Sequence, residues 1–337
     1  MGPLEGRPMN FIACDWGTSR LRVRWRGPDG LREVASDDGA SRLAARGGDR
    51  ARVFEEALRE ALQRLGAPAG LPVLVSGMAS SSIGWIELPY ARLPFRLDGS
   101  GVVGRWTTSD DRCRVCLISG VRDQDDMMRG EETQALGWAE AVEQAGHALP
   151  ERATLVLPGT HSKHIRVESG ALTSISTFMT GELFEVFCRH SVLRHSVATE
   201  ATSAGTGDSE VPVDSGAFSE GVRASARPGL AAALFQVRSR QVLSGRDPVS
   251  NRSFLSGLLI GAELRSLEAG EAPVILAAGT GLREAYTRAA SECGLSGRWS
   301  AIEVDGLAEL GQRRLGRRWE SGQGLVASPD PDPRARP

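Results

Sequence analysis

The feature that most constrains the fold is a pattern of strand, glycine turn and return strand that occurs twice in the chain. The first copy runs from Phe11 to Arg26 and the second from Thr154 to Glu168. In each copy a short apolar run leads into a turn of glycine and hydroxyl residues, and alternating apolar and polar residues follow. Because recurrence of one pattern indicates a duplicated architecture, the sequence predicts two related domains.

The first turn, Gly17-Thr18-Ser19, follows Asp15 at the end of its apolar strand. Backbone N–H groups of such a turn can cradle a phosphate, and a carboxylate beside the turn suits Mg²⁺. The segment therefore predicts a Mg²⁺–phosphate site, and the alternative is a plain hairpin with a polar tip. The alternation in the return strand predicts that its arginines, Arg24 among them, face outward.

The second turn segment, 158–164, contains Lys163, which is the single lysine among the 40 basic residues. Lysine differs from arginine in presenting a compact point charge, which suits a phosphate group. Together with Gly159 and Thr160, it predicts a second phosphate-binding turn. The alternative is a lysine that lies by chance in an ordinary hairpin.

A third glycine segment, Gly279-Thr280-Gly281, follows the continuous apolar run 273–278 and begins a predicted helix. A strand, a glycine turn and a helix in this order place a nucleotide phosphate or ribose at the N-terminus of the helix. This segment is therefore a candidate nucleotide-binding element.

Strands alternate with helices along the whole chain, which indicates an α/β architecture. Helices are predicted at 50–65 and 131–146 from the spacing of apolar residues. A chain of 337 residues is long enough for two domains. We predict one domain over 10–150, a second over 151–320, and a disordered tail over 321–337.

Composition excludes several classes of protein. The formal net charge is −2 and the arginines are scattered, so neither nucleic acid nor an anionic membrane is expected as a partner. No apolar run is long enough to span a membrane, and residues 1–9 do not resemble a signal peptide. The five cysteines do not form a disulfide framework. A soluble, cytoplasmic protein is predicted.

Seven short stretches, spread from about residue 10 to 315, are typical of one known family. They are DWGTSRLR (15–22), GMASSSIGW (77–85), MRGEETQALG (128–137), PGTHSKH (158–164), TFMTGELF (177–184), FLSGLLIGAE (254–263) and LAAGTGL (276–282). Together they resemble the 2-dehydro-3-deoxygalactonokinase family, the sugar-acid kinases of galactonate breakdown in the actin/hexokinase/Hsp70 ATPase superfamily. The three glycine segments follow the order of the phosphate-1, phosphate-2 and adenosine segments of that superfamily.

The resemblance implies two ribonuclease H-like domains of the actin-like ATPase fold with a cleft between them. It implies ATP-dependent phosphorylation of 2-dehydro-3-deoxy-D-galactonate to its 6-phosphate, with Mg²⁺ held by Asp15. It also assigns ATP binding to residues of the three glycine segments, namely Gly17, Thr18, Ser19, Gly159, Thr160, Lys163, Gly279, Thr280 and Gly281. Pro158 stands where many superfamily members have an aspartate, which leaves Asp15 as the main metal carboxylate.

The catalytic base is assigned by a second resemblance. In related carbohydrate kinases a Gly-Asp-Gln segment supplies the catalytic aspartate, and Gly130-Glu131-Glu132 looks like its counterpart. Glu131 is therefore favoured as the general base, which would accept the proton of the sugar hydroxyl. Glu132 and Asp126 stay open as alternatives, because one sequence does not fix the register.

The implied substrate carries a carboxylate, which an arginine can hold in a bidentate grip. Arg129 and Arg20 are both candidates for this role, and Ser80, Ser81 and Trp85 are expected to form the sugar pocket. A small sugar acid is the predicted partner, and a homodimer is compatible with the sequence. The alternatives are a kinase of the same fold for another sugar or sugar acid, a phosphatase or acyl-phosphate kinase, or a non-catalytic ATP-binding sugar sensor.

Overall fold

The computed structural model describes residues 9–108, 113–198, 214–227, 229–267, 270–322 and 326–327. Most of the predicted tail, 321–337, lies outside the described residues. The strands are β1 Ile12–Trp16, β2 Leu21–Gly27, β3 Gly30–Ser36, β4 Val73–Gly77, β5 Ala91–Arg92, β6 Phe95–Arg96, β7 Val103–Thr108, β8 Arg114–Ile118, β9 Val121–Arg122, β10 Met127–Met128, β11 Arg152–Leu157, β12 Ser162–Glu168, β13 Ala171–Phe178, β14 Val274–Ala277, β15 Trp299–Ile302 and β16 Val326–Ala327. The α-helices are α1 Ala40–Ala44, α2 Arg50–Leu65, α3 Glu131–Gln144, α4 Thr180–Arg189, α5 Ser215–Ala224, α6 Leu230–Leu234, α7 Gln236–Ser244, α8 Pro248–Leu264, α9 Thr280–Glu292 and α10 Leu307–Glu320.

The chain divides into two compact units. The first comprises Met1–Glu151, Glu168–Ile175 and Gly306–Pro337, and the second comprises Arg152–Val167 and Ser176–Asp305. This division differs from the predicted limits, because α10 belongs to the first unit and not to the second.

The reason for the placement of α10 is visible in its contacts. The buried Gln312 side chain of α10 donates hydrogen bonds to the Cys14 carbonyl oxygen of β1 at 2.7 Å and to Ser76 Oγ of β4 at 2.8 Å. The backbone of α10 also packs directly against α3, since a Cβ atom added at Gly137 would overlap the Leu307 carbonyl oxygen. These contacts depend on residues far apart in the sequence.

The first unit is built on a seven-stranded sheet with the order β16-β7-β8-β4-β1-β2-β3. Strand β1 pairs antiparallel with β2 and parallel with β4, and β4 pairs parallel with β8. Helix α2 covers this sheet with an apolar face that includes Phe54 and Leu58. Its limits follow from local signals, because Asp49 accepts a hydrogen bond from the Ala51 N–H at 3.0 Å and Gly66 ends the helix at φ 63°.

The prediction that the arginines of β2 face outward is wrong for Arg24, which is only 6% exposed. Its Nε lies 2.6 Å from Glu33 Oε2 on the neighbouring strand β3. The next arginine of the alternation, Arg26, pairs with Glu309 of α10 at 3.5 Å. This face of β2 is therefore covered by protein, and its charged groups are paired because an unpaired buried charge is costly.

The second unit repeats the strand order of the first. The sheet that holds its strands has the order β15-β14-β11-β12-β13, which corresponds to β8-β4-β1-β2-β3. Residues 171–175 of β13 belong to the first unit, where Ala171 and Leu172 pair with the two-residue strand β6. Helices α5 and α8 approach closely, because a Cβ atom at Gly221 or Gly257 would overlap a backbone carbonyl oxygen of the other helix. Three helices, α5, α6 and α7, precede α8 in the chain, and Gly229 at φ 85° precedes α6.

The repeated strand order confirms the predicted α/β class with two ribonuclease H-like units of the actin-like ATPase fold. Among the described residues, no helix is both long and apolar enough to cross a membrane.

Candidate active site

The first glycine turn of the first unit is held against the start of α1. The Ala40 N–H donates to the Gly17 carbonyl oxygen at 3.0 Å. A Cβ atom at Gly39 would overlap the backbone of Thr18 and Ser19, so glycine is required there for the close approach. Thr18 and Ser19 are themselves exposed. The turn is thus fixed by backbone contacts while its hydroxyl residues face solvent, as a phosphate-binding turn requires.

Asp15 is half-buried at the end of β1, where Arg22 lies opposite it on β2. Burial raises the pKa of Asp15, and the charges of Arg22 and Arg24 oppose this effect. Among the described residues, no three His, Cys, Asp or Glu side chains form a metal cluster. Mg²⁺ in phosphotransferases is bound through one or two carboxylates plus the substrate phosphates. A single carboxylate beside a phosphate turn fits this ligand set.

The ends of β1, β4 and the start of α3 converge at two glycines. Gly77 has φ 90°, and a Cβ atom there would lie 2.5 Å from the Trp16 carbonyl oxygen. Gly130 has φ 111°, and its Cβ position lies 3.4 Å from Gly77 Cα. Both backbone conformations favour glycine. Trp16, which follows Asp15, and Gly130, which precedes Glu131, therefore both lie beside Gly77 at one end of the sheet.

The two acids at the start of α3 have different surroundings. Glu131 is half-buried, and its Oε2 accepts a hydrogen bond from the Arg129 N–H at 3.0 Å. Glu132 is 1% exposed and accepts from the Gly130 N–H at 2.8 Å and from Thr133 Oγ1 at 3.0 Å. Burial, and secondarily the charge of Glu131, raises the pKa of Glu132 to about 7. Glu132 therefore supports the turn, while Glu131 is the more accessible carboxylate.

We expect Glu132→Gln to stabilise the protein at pH 8 and to leave its stability almost unchanged at pH 4.5. The pKa of Glu132 is raised from 4.5 to about 7 in the folded protein, so the wild type loses stability as the pH rises through this window. The loss at pH 8 amounts to about 3 kcal/mol at most, and the variant avoids it. Thermal unfolding at both pH values measures the effect. An equal drop in Tm at the two pH values would contradict the expectation.

The structure separates the two candidate arginines. The Arg129 guanidinium donates to Ser80 Oγ at 2.6 Å and to the Leu88 carbonyl oxygen at 3.2 Å, and it lies 4.1 Å from the centroid of the Tyr90 ring. Arg20 is 64% exposed, and its nearest acid, Asp37, is 4.0 Å away. Arg129 is therefore held in one orientation by three contacts, and Arg20 is not.

The other predicted residues of the first unit are mostly engaged within the protein. Ser80 Oγ donates to the Ile118 carbonyl oxygen at 2.6 Å, and Ser81 Oγ donates to the Met78 carbonyl oxygen at 2.7 Å. Trp85 is buried in the hydrophobic core. Asp126 lies in the turn between β9 and β10, where its carboxylate accepts the Met127 N–H at 2.7 Å. Of these residues, the structure brings Ser80 into contact with another site candidate, Arg129.

In the second unit, the first turn of α4 supports the second glycine turn. A Cβ atom at Gly181 would lie 2.5 Å from the Gly159 carbonyl oxygen, so only glycine fits there. The Glu182 N–H donates to the Thr160 carbonyl oxygen at 3.0 Å, and the Glu182 carboxylate lies 2.5 Å from His161 Nε2. Gly159 and Thr160 are exposed. Segment 179–183, at the start of α4, therefore supports this turn.

Lys163 lies on β12, directly after the turn, and is only 5% exposed. Its Nζ lies 3.4 Å from the His161 carbonyl oxygen, so the ammonium is directed back toward the turn. A buried lysine on a strand is not a surface residue of an ordinary hairpin. Its predicted contact with a phosphate at Gly159 and Thr160 stays a prediction.

The third glycine segment lies where β14 ends and α9 begins. Gly279 is the N-terminal cap of α9 and has no side-chain cap hydrogen bond, and the first turn contains no acid. Thr280 is exposed, and Gly281 is half-exposed. The N–H groups at this end of the helix are therefore not satisfied by a cap, which suits an anionic or hydroxyl-bearing ligand.

The duplicated fold, with a glycine turn at the end of the first strand of each unit, defines a class: the proteins of the actin-like ATPase superfamily. Comparison with known proteins places the chain within that class. A model of the family described as 2-keto-3-deoxy-galactonokinase matches residues 15–313. The chain belongs to this family, as predicted, and it is an enzyme of the kinase type.

Individual relatives cover nearly the whole chain. The probable 2-dehydro-3-deoxygalactonokinase of Rhizobium meliloti (strain 1021) is 36% identical over 313 residues, which are 89% of this chain and 94% of the relative. The 2-dehydro-3-deoxygalactonokinase of Escherichia coli (strain K12) is 31% identical over 314 residues, 90% of this chain and 97% of that protein. A crystal structure from Sinorhizobium meliloti, of a protein assigned the same activity, has a TM-score of 0.76 at 33% identity and covers 92% of this chain and 96% of its own.

Sequence reasoning missed one residue of this region, the buried Glu263. The available signal was the stretch 254–263, in which an acid follows a long apolar run on α8. An acid at the end of such a run is often a solvated helix residue, so the pattern alone did not single it out.

Proposed function

We propose that this enzyme transfers the γ-phosphoryl group of ATP to the terminal hydroxyl of 2-dehydro-3-deoxy-D-galactonate, giving ADP and the 6-phosphate. The observation that carries the proposal is the family membership over 15–313, combined with the presence of Asp15 beside the first glycine turn and of Glu131 at the start of α3. A non-catalytic sensor would not need a base, so the half-buried Glu131 carboxylate favours turnover.

In this proposal the second unit binds ATP. The turn at Gly159 and Thr160 and the Lys163 ammonium contact the phosphates, and the N-terminus of α9 receives the adenosine. The turn at Gly17 to Ser19 contacts the transferred phosphoryl group. When Mg²⁺ is bound, with Asp15 as its protein carboxylate, it neutralises phosphate charge.

Glu131 acts as the general base. The oxygen of the sugar hydroxyl forms the new bond to phosphorus, its proton passes to the Glu131 carboxylate, and ADP leaves. The backbone N–H of Arg129 donates a hydrogen bond to Oε2 of the Glu131 carboxylate. This hydrogen bond orients the carboxylate. Glu132 is a weaker candidate because its carboxylate is buried and accepts hydrogen bonds from Gly130 and Thr133.

Arg129 is the proposed ligand of the substrate carboxylate. Its guanidinium has five N–H donors, and the contacts to Ser80 and Leu88 use one N–H on each of the two terminal nitrogens while fixing the plane. A pre-oriented guanidinium loses less entropy on binding than an exposed one such as Arg20. Ser80 then acts by orienting Arg129.

The cytoplasm, where ATP is supplied, is the proposed location of the enzyme. The homodimer stays a prediction.

The test is a coupled ADP-release assay with purified protein, ATP and Mg²⁺ against a panel of sugar acids. We expect kcat/KM for 2-dehydro-3-deoxy-D-galactonate to exceed that for its gluconate-derived epimer by at least about tenfold, because a site built around substrate hydroxyls discriminates their orientation. A higher kcat/KM for another sugar would overturn the substrate assignment. ATP binding without turnover of any sugar acid would favour the sensor.

A further inference from the structure

Glu263, near the end of α8, is 2% exposed and is surrounded by hydrogen-bond donors. Its Oε1 accepts from Ser162 Oγ at 2.6 Å and lies 3.0 Å from His164 Nε2. Its Oε2 accepts from Tyr286 OH at 2.8 Å and from Thr180 Oγ1. A carboxylate has about four acceptor positions, so these four side chains occupy its acceptor capacity. The group is buried and satisfied.

The four donors come from three different elements, all in the second unit. Ser162 and His164 begin β12, directly after the second glycine turn. Thr180 is the first residue of α4, the helix that supports this turn. Tyr286 belongs to α9, which begins at the third glycine segment. One carboxylate thus connects every element of the second unit that carries a proposed nucleotide-binding segment.

A purely structural role would not need this chemistry. Burying a carboxylate is costly even when it is hydrogen bonded, and an apolar side chain often stabilises a core as well or better. An apolar side chain, however, makes no directional hydrogen bonds, so it would not hold the polar side chains of three separate elements at fixed distances. His164 is held from a second side as well, since its ring centroid lies 4.6 Å from that of Phe178.

We propose that Glu263 is a positioning residue that fixes the second phosphate turn, the start of α4 and the adenosine segment relative to one another, so that ATP meets a preformed site. This inference rests on the proposed function, because it takes the second unit as the one that binds the nucleotide. Preformed geometry matters because a displacement of about 1 Å in a positioning group can cost up to about 10²-fold in rate.

The connection to α9 can be broken alone with Tyr286→Phe, which removes one hydroxyl and keeps the buried ring. We expect the Kd for ATP, measured by isothermal titration calorimetry with Mg²⁺, to rise about three- to tenfold, and the KM for ATP to rise with it. The KM for the sugar acid should stay within about twofold of wild type. Ser162→Ala, which releases β12, should instead lower kcat by about tenfold, because it loosens the second glycine turn, which contacts the phosphates of ATP.

Asn251→Ala is the matched control on the same helix. Asn251 is fully buried and donates to the Ser196 and Val237 carbonyl oxygens, both at 3.2 Å, away from the nucleotide segments. We expect this variant to lower Tm without changing the Kd for ATP, when binding is measured well below its Tm.

The outcomes separate the two proposals. If the wild type binds ATP and Tyr286→Phe and Ser162→Ala both match it in ATP binding and kinetics, the positioning role of Glu263 is overturned whatever the substrate is. If Asn251→Ala weakens ATP binding as much as Tyr286→Phe does, the effect is general loosening and the role is likewise overturned. If Tyr286→Phe weakens ATP binding but the wild type phosphorylates no sugar acid, the proposed function fails and the role of Glu263 stands.

Discussion

Glu131→Gln is expected to lower kcat by about 10²- to 10⁴-fold while ATP binding persists. General base catalysis contributes an acceleration of this size, and glutamine keeps the shape of the side chain but has no basic oxygen. The amide oxygen can still accept the Arg129 N–H, which Glu131 Oε2 accepts at 3.0 Å, so the turn should remain folded. Steady-state kinetics, with calorimetry for ATP affinity, measures the two effects separately.

Glu132→Gln is the matched control, one residue further along the same helix. Adjacent helical residues point in directions about 100° apart, and the Glu132 carboxylate is buried against Gly130 and Thr133. We expect its kcat to stay within a few-fold of wild type. If Glu132→Gln is the inactive variant, Glu132 is the base. If both variants keep nearly full activity, the base lies elsewhere, with Asp126 next to be tested.

Lys163→Met is expected to reduce kcat/KM for ATP by at least about tenfold without unfolding the protein. Methionine fills nearly the same volume in the buried position but removes the ammonium directed toward the second turn. Loss of a charged contact to a phosphate at the reaction centre should cost well over 1 kcal/mol, and about 1.4 kcal/mol corresponds to tenfold in rate. Kinetics and a thermal unfolding curve of the same sample provide the measurement.

Lys163→Arg tests the chemistry of the contact more finely. Arginine keeps the charge, but its fork is larger and has fixed directions, and the site is only 5% exposed. We therefore expect partial activity, between that of Lys163→Met and wild type. Activity of Lys163→Met within about twofold of wild type would show that the lysine has no phosphate contact. Full activity of Lys163→Arg would mean that charge alone is required.

The sequence by itself determined the features that depend on neighbouring residues. Helix α2 occupies the predicted range 50–65 because its cap, Asp49, and its terminating Gly66 lie beside an apolar pattern of helical period. The three glycine segments lie at the ends of strands β1, β11 and β14, as predicted, because short apolar runs and glycine turns are local signals. The family was also readable, since its motifs are short and contiguous.

The tertiary structure alone decided which distant residues meet. It placed α10 in the first unit through Gln312, buried Arg24 against Glu33, and fixed Arg129 on Ser80 and Leu88. The contact between Glu263 and Ser162 spans 101 residues of the chain. Such contacts depend on the packing of whole elements, and residue type does not specify the partner of a buried carboxylate or guanidinium. The sequence could therefore indicate candidate residues for the site, but the fold was needed to show which side chains contact them.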